Sequence, residues 1–187
     1  MISATDLKNG KTFKMDGEAY KVHKYTHQKL GRGGASVKLE LINLKTGVKS
    51  HKTVNSTVKV EEIDTVKRPL QYLFKDNDAV TFMDADTYEQ VEIPLSLVED
   101  EIQYIKEGQT VDIMFVENEA VSIDIAPKVT LKVVDTVPGV KGDTASNVYK
   151  PAKLENGLTV KVPLFIKEGE KVSVDTRTGE YVERVKS

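Results

Sequence analysis

The strongest constraint on the fold is a rhythm: short runs of alternating apolar and polar residues, interrupted by turn formers about every ten residues. Tyr20 and Val22 alternate with Lys21 and His23, and Val37, Leu39 and Leu41 alternate with Lys38 and Glu40. Successive side chains of a strand point to opposite faces, so this period marks half-buried antiparallel strands. One face of each run is expected in a core and the other in water. Between these two runs lies Lys29-Leu30-Gly31-Arg32-Gly33-Gly34-Ala35, one arginine among three glycines. Glycine permits positive φ and leaves the arginine uncrowded, so Arg32 is expected at a hairpin tip. By itself such a tip is most often just a solvated turn.

The rhythm runs through the whole chain. The first third predicts strands over 11–15, around Tyr20 and Val37, over 49–53 and over 57–61, which describes a small barrel. The middle third predicts strands over 70–74, 79–83, 88–93, 111–116 and 120–125. Pro94 opens a short helix there that runs to about Ile105 and buries Leu97, Ile102 and Ile105. Five strands with a helix between the third and fourth is the order of an OB-type barrel. The last third predicts strands over 129–134, 149–154, 159–162, 171–175 and 181–185, a second such barrel. The expected fold is therefore all-β, three small β-barrel domains at residues 1–64, 65–127 and 128–187. Domains this small bury little apolar surface alone, so direct packing between neighbours is expected, with a stiff first joint.

Charge divides along the same boundaries. Residues 1–64 carry 12 Lys and Arg against 7 Asp and Glu, a net of +5; residues 65–127 carry 4 against 14, a net of −10; residues 128–187 carry 11 against 8, a net of +3. Basic ends flanking an acidic middle favour a polyanionic partner touched by the first and last thirds, with the middle turned away or facing a basic protein. The chain has no cysteine, which excludes disulfides, thiolate metal sites and a cysteine nucleophile and fits a cytoplasmic protein. Neither a signal segment nor a run of apolar residues long enough to span a membrane is present.

Few residues could support catalysis. His23 and His27 would share a strand face if the strand stays regular, but no cysteine or carboxylate cluster accompanies them. Asp84 and Asp86 have the spacing of a metal pair, yet they sit where a hairpin needs turn formers. No nucleophile elbow or phosphate-binding loop occurs, and Gly31-Arg32-Gly33 lies between strands rather than opening a helix. No catalytic residue, metal or cofactor is expected.

Further motifs accompany the tip. They are Phe82-Met83-Asp84 with Thr87-Tyr88-Glu89-Gln90, Val134-Asp135-Thr136-Val137-Pro138-Gly139-Val140-Lys141-Gly142-Asp143-Thr144-Ala145, Lys161-Val162-Pro163-Leu164-Phe165-Ile166, and Asp175-Thr176-Arg177-Thr178-Gly179-Glu180-Tyr181-Val182-Glu183-Arg184-Val185. In order and spacing, over the whole chain, these resemble bacterial elongation factor P. The resemblance implies a KOW or SH3-like barrel followed by two OB folds, arranged as an L that imitates tRNA. It implies a monomeric, non-enzymatic factor that contacts both ribosomal subunits and the peptidyl-site tRNA. Lodged between the peptidyl and exit sites, such a factor promotes peptide bond formation at consecutive prolines by positioning peptidyl-tRNA.

The resemblance also assigns residues. Arg32, with Lys29, Gly31, Gly33 and Gly34, matches the tip that reaches the CCA end of peptidyl-tRNA. Gly142, Asp143 and Thr144 match the loop near the exit-site codon, and Tyr181 and Arg184 match contacts to the tRNA anticodon stem. Many members carry lysine at the tip, whereas an arginine branch is rhamnosylated on the guanidinium. Arg32 therefore implies an arginine rhamnosyltransferase that uses a nucleotide-activated rhamnose; hypusine is excluded because it requires lysine. Leu30 stands where proline or a small residue is usual. Two other readings are an elongation-factor-P-like paralogue acting on other stalled ribosomes and a general single-strand RNA-binding OB protein. The second needs aromatic platforms among cations, and only 6% of residues are aromatic.

Overall fold

The alternating runs become antiparallel strands, and the computed structural model describes residues 1–30, 34–139 and 149–186. They form two units, Met1–Asp124 and Ile125–Ser187, the first holding two sheets and the second one.

The first sheet has six strands: β1 (Ile2–Ser3), β2 (Thr12–Met15), β3 (Glu18–Leu30), β4 (Gly34–Asn43), β5 (Lys49–Asn55) and β6 (Lys59–Glu62). Their order is β1-β6-β2-β3-β4-β5. The apolar members of each alternating run point inward, and Phe13, Val22, Val37, Leu39 and Leu41 pack with Leu7, under a short 3-10 turn at Ala4–Asp6. β1 is too short for its pattern to be read in the sequence. Its place is set by pairing Ile2 with Val60.

The second sheet contains β7 (Val66–Lys75), β8 (Ala79–Met83), β9 (Gln90–Pro94), β10 (Thr110–Val116) and β11 (Glu119–Asp124), in the order β11-β10-β7-β8-β9. Helix α1 (Leu95–Ile102) lies between β9 and β10. It buries Leu97, Val98 and Ile102, and the chain continues as turns that bury Tyr104 and Ile105. The helix is thus shorter than the apolar spacing predicts. The Asp84–Asp86 segment is a turn: Asp84 Oδ1 accepts the N–H groups of Asp86 and Thr87 at 2.9 and 3.1 Å. These backbone N–H groups, Thr87 first, hold the Asp84 carboxyl below its ordinary pKa.

The two sheets of this unit meet through charge. Lys21 alternates with core residues and so was expected in water, yet it is only 2% exposed. Its ammonium donates to the Leu97 carbonyl of α1 at 2.9 Å and to Glu101 Oε1 at 2.5 Å. Around it His23 Nδ1 lies 3.1 Å from Asp100, and Lys49 Nζ lies 3.6 Å from Glu99. Beside Lys21 the β3–β4 register slips between Val22 and Lys24, leaving His23 as the extra residue. The bulge breaks the regular alternation assumed for His23 and His27. Among the described residues, no group of three or more His, Cys, Asp or Glu could hold a metal.

The third sheet repeats the topology of the second: β12 (Lys128–Thr136), β13 (Tyr149–Leu154), β14 (Thr159–Pro163), β15 (Lys171–Asp175) and β16 (Glu180–Val185), in the order β14-β13-β12-β15-β16. In each of the last two sheets the first strand pairs with the second and the fourth. Where the second sheet inserts α1, the third has the short connection 164–170, whose fully buried Ile166 fills the core alongside Leu154, Val172 and Val174. The elements match an all-β chain of three barrel-like sheets. No helix among the described residues is long and apolar enough to cross a membrane.

Candidate functional site

Two places carry the residues of interest, one in each unit. In the first unit, β3 and β4 stay paired to their ends, through Gln28–Ser36, Lys29–Ala35 and Leu30–Gly34. At about 3.3 Å per residue, the 13 residues of β3 extend roughly 40 Å. Neighbouring strands brace the ribbon unequally. β2 leaves β3 at the Thr12–Lys21 pair, after which Asn9 Oδ1 accepts the Tyr25 N–H at 2.9 Å and the Lys8 ammonium sits 4.1 Å from the Tyr25 ring centroid. β5 follows β4 as far as Ser36–Asn55, and the Ser56 N–H donates to the Ala35 carbonyl at 3.0 Å. Among the described residues, no third strand pairs with the last two ladder pairs, and Ser56 is bonded only to the first of them, at Ala35. Lys29 and Gly34 sit at the strand ends, while Gly31, Arg32 and Gly33 lie outside the described residues.

Along the outer face of the ribbon, Lys24 and Lys38 stand exposed. Lys24 pairs across the ladder with Glu40 and Lys38 with Thr26. Other basic residues of the first third are engaged internally: Lys21, His23 and Lys49 face α1, and Lys52 donates to Asp16 Oδ2 at 2.8 Å. The basic and acidic thirds thus neutralise each other in part, which net charges counted along the sequence could not reveal.

In the second unit, the structure brings Tyr181 and Arg184 together. Three residues apart on a regular strand, they would face opposite ways. The β15–β16 register slips between Ser173 and Val174, so Tyr181 opposes Val174 and Arg184 opposes Val172. Both partners are fully buried, which puts Tyr181 and Arg184 on the same side. Burial raises the Tyr181 phenol above its ordinary pKa, and the nearby Arg184 charge opposes the rise. Arg184 Nη1 also pairs with Glu170 Oε1 at 3.3 Å, and its guanidinium carbon lies 5.6 Å from the Phe165 ring centroid. Phe165 was part of a sequence motif but carried no expected role. Its 58% exposure is what singles it out.

The ends of the predicted codon loop are fixed. The Lys150 ammonium, on a residue 6% exposed, donates to the Val137 carbonyl at 2.6 Å, and Thr136 Oγ1 donates to the Pro151 carbonyl at 2.9 Å. Gly139 is required by close approach: a Cβ there would stand 2.2 Å from the Leu164 carbonyl oxygen. Gly142, Asp143 and Thr144 lie outside the described residues. In the next turn Asp175 is clamped by Arg177, whose Nε and Nη2 reach its two oxygens at 3.0 and 2.6 Å. That bidentate contact, with backbone N–H groups added, lowers the Asp175 pKa to about 2.

Comparison with known proteins gives the same layout. Three family models match in order: "Elongation factor P (EF-P) KOW-like domain" at residues 3–60, "Elongation factor P (EF-P) OB domain" at 65–123 and "Elongation factor P, C-terminal" at 129–184. Elongation factor P of Clostridium acetobutylicum is 47% identical over 185 residues, covering 99% of this chain and 100% of its own. The Clostridium botulinum protein of the same name is 45% identical with the same coverage. Among solved structures, eukaryotic translation initiation factor 5A from Methanococcus jannaschii aligns with 66% of this chain and 90% of its own, at 24% identity and a TM-score of 0.42. Matches over the full length of both chains, with all three domain types in order, mean that this chain belongs to the elongation factor P family, translation elongation factors that are not enzymes.

Proposed function

We propose that this elongation factor binds the ribosome between the peptidyl and exit sites and speeds peptide bond formation at consecutive prolines. The observation that carries the reading is the full-length family match, joined to a long strand pair, β3 and β4, between which the sequence places Gly31-Arg32-Gly33. In this reading residues 1–64 form the KOW-like domain that carries Arg32, and 65–127 and 128–187 form the two OB domains, the second carrying Tyr181 and Arg184. Arg32, flanked by Lys29 and Gly34, reaches the CCA end of peptidyl-tRNA. Gly142, Asp143 and Thr144 approach the exit-site codon, and Tyr181 with Arg184 meets the anticodon stem. Exposed Lys24 and Lys38 on the ribbon favour an RNA path toward the tip.

The mechanism is positioning. Proline fixes its own φ and restrains the preceding residue, so a nascent proline pair resists the geometry that transfer requires. Holding peptidyl-tRNA in a reactive pose supplies part of the barrier reduction without an acid or base, and aligned intramolecular reactions gain about 7 kcal/mol or more in this way. Rhamnose on Arg32 lengthens the tip and adds hydroxyl donors and acceptors suited to RNA. In its attachment a guanidinium nitrogen bonds to the anomeric carbon as the bond to the nucleotide breaks, releasing the nucleoside diphosphate and a proton.

Replacing the tip tests the assignment. In reconstituted translation of a proline-run reporter, Arg32→Ala is expected to lose rescue while its unfolding transition matches the wild type. Full rescue by that variant rejects the tip as the acting end.

A further inference from the structure

We propose that Phe165, flanked by Arg184, is a stacking platform for one unpaired RNA nucleotide. This deepens the functional reading above and rests on it, because it names a contact within the surface that Tyr181 and Arg184 assign to RNA.

Phe165 stands in the connection 164–170, a place that should favour its burial. Its neighbour Ile166 is fully buried, and the Ile166 N–H donates to the Pro163 carbonyl at 3.1 Å. On the other side the Leu164 carbonyl abuts Gly139. The backbone is therefore held on both sides of Phe165, and it aims the ring outward, leaving it 58% exposed. The ring meets the Arg184 guanidinium, whose carbon lies 5.6 Å from its centroid, and leaves more than half of its surface in water, where a base can stack.

Arg184 completes the platform. The strand bulge turns its guanidinium to the Phe165 side, and Glu170 holds it there through the 3.3 Å ion pair. Its side chain is still 43% exposed, so the cation can meet a phosphate as well as a base face. Residues 128–187 carry a net charge of +3, which favours an anionic partner such as RNA over a neutral or basic one. An aromatic face beside an arginine recognises a nucleotide by stacking and charge without reading its sequence, which suits a factor that must act on many messages.

The test uses the full chain and ribosomes carrying peptidyl-tRNA stalled at a proline run. Base stacking contributes about 1–3 kcal/mol, so Phe165→Ala is expected to weaken ribosome binding about tenfold. Phe165→Leu, apolar but not aromatic, should be equally weak, and Phe165→Trp should bind like the wild type. All three should stay folded with at most a small shift in the melting transition, because more than half of the ring is exposed. A photoreactive phenylalanine analogue at position 165 should crosslink to RNA. Wild-type affinity in Phe165→Ala or Phe165→Leu, or a crosslink to a ribosomal protein alone, overturns the platform and leaves the functional reading standing. Failure of the wild-type chain to bind these ribosomes overturns both.

Discussion

At the scale of single residues, Arg177 uses a guanidinium within the fold and Arg32 is proposed to use one on a partner. A guanidinium keeps its charge at any physiological pH, and its planar fork makes paired contacts with anions. In Arg177 that fork is turned inward on Asp175, and the consequence is a pH-dependent term in stability. The folded pKa of Asp175, about 2, lies below the ordinary 3.8, so its contribution is complete above 3.8 and disappears as pH falls toward 2. Asp175→Asn should cost about 1–2 kcal/mol at neutral pH, after allowance for solvent around the exposed Arg177. Urea unfolding should show that gap closing in acid; a gap independent of pH would reject the clamp. Arg32, by contrast, is proposed to take a sugar. Its tryptic fragment from native cells should carry one deoxyhexose, and fully active protein of unmodified mass would refute the modification.

Helix α1 meets strands β3 and β5 where the first two sheets join. Three acidic residues of the helix, Glu99, Asp100 and Glu101, face Lys49, His23 and Lys21. Of these only the Lys21 ammonium is withdrawn from water, and removing one partner from a buried pair leaves the other unsatisfied. Lys21→Met keeps the apolar stem and deletes the charge. It should cost about 2–3 kcal/mol and separate the melting of residues 1–64 from that of the second barrel, measured by calorimetry. An unchanged single transition would show that the joint does not depend on this ion. This joint was not legible in the sequence. Alternation placed Lys21 correctly on the face opposite Val22, but sequence period cannot tell whether that face meets water or another sheet. The bulges at β3 and β16 were hidden for a related reason: an extra residue carries no side-chain signature, and each shows only as a slipped register. By contrast, the strand rhythm and turn residues located every long strand, because a two-residue period survives in any half-buried sheet.

At the scale of the molecule, charge and topology support different parts of the account. Two five-stranded barrels were legible from strand count, and in the second domain from the helix position, whereas the pairing of the first strand with the second and fourth came from the structure. The roles at Arg32 and Gly142-Asp143-Thr144 came only from resemblance, since a glycine-rich turn and a polar loop have no chemistry that local pattern can assign. Phe165 stayed unassigned because an apolar residue near a strand end reads as core, and only its exposure separates it from Ile166. The swing from +5 to −10 to +3 along the chain suggested a polyanion at both ends. Pairing between α1 and the first sheet reduces the charge available for that, leaving the hairpin face and the Arg184 surface as the expected contacts.

The proposed activity is acceleration of peptide transfer where consecutive prolines make it slow. The most direct test is the rate of single peptide bond formation on ribosomes in a reconstituted system, with and without the chain, at a proline-proline step and at a matched step with both prolines replaced by phenylalanine. The first step should be strongly accelerated and the second little changed. Equal rates with and without the chain at the proline step, or equal acceleration of both steps, would contradict it.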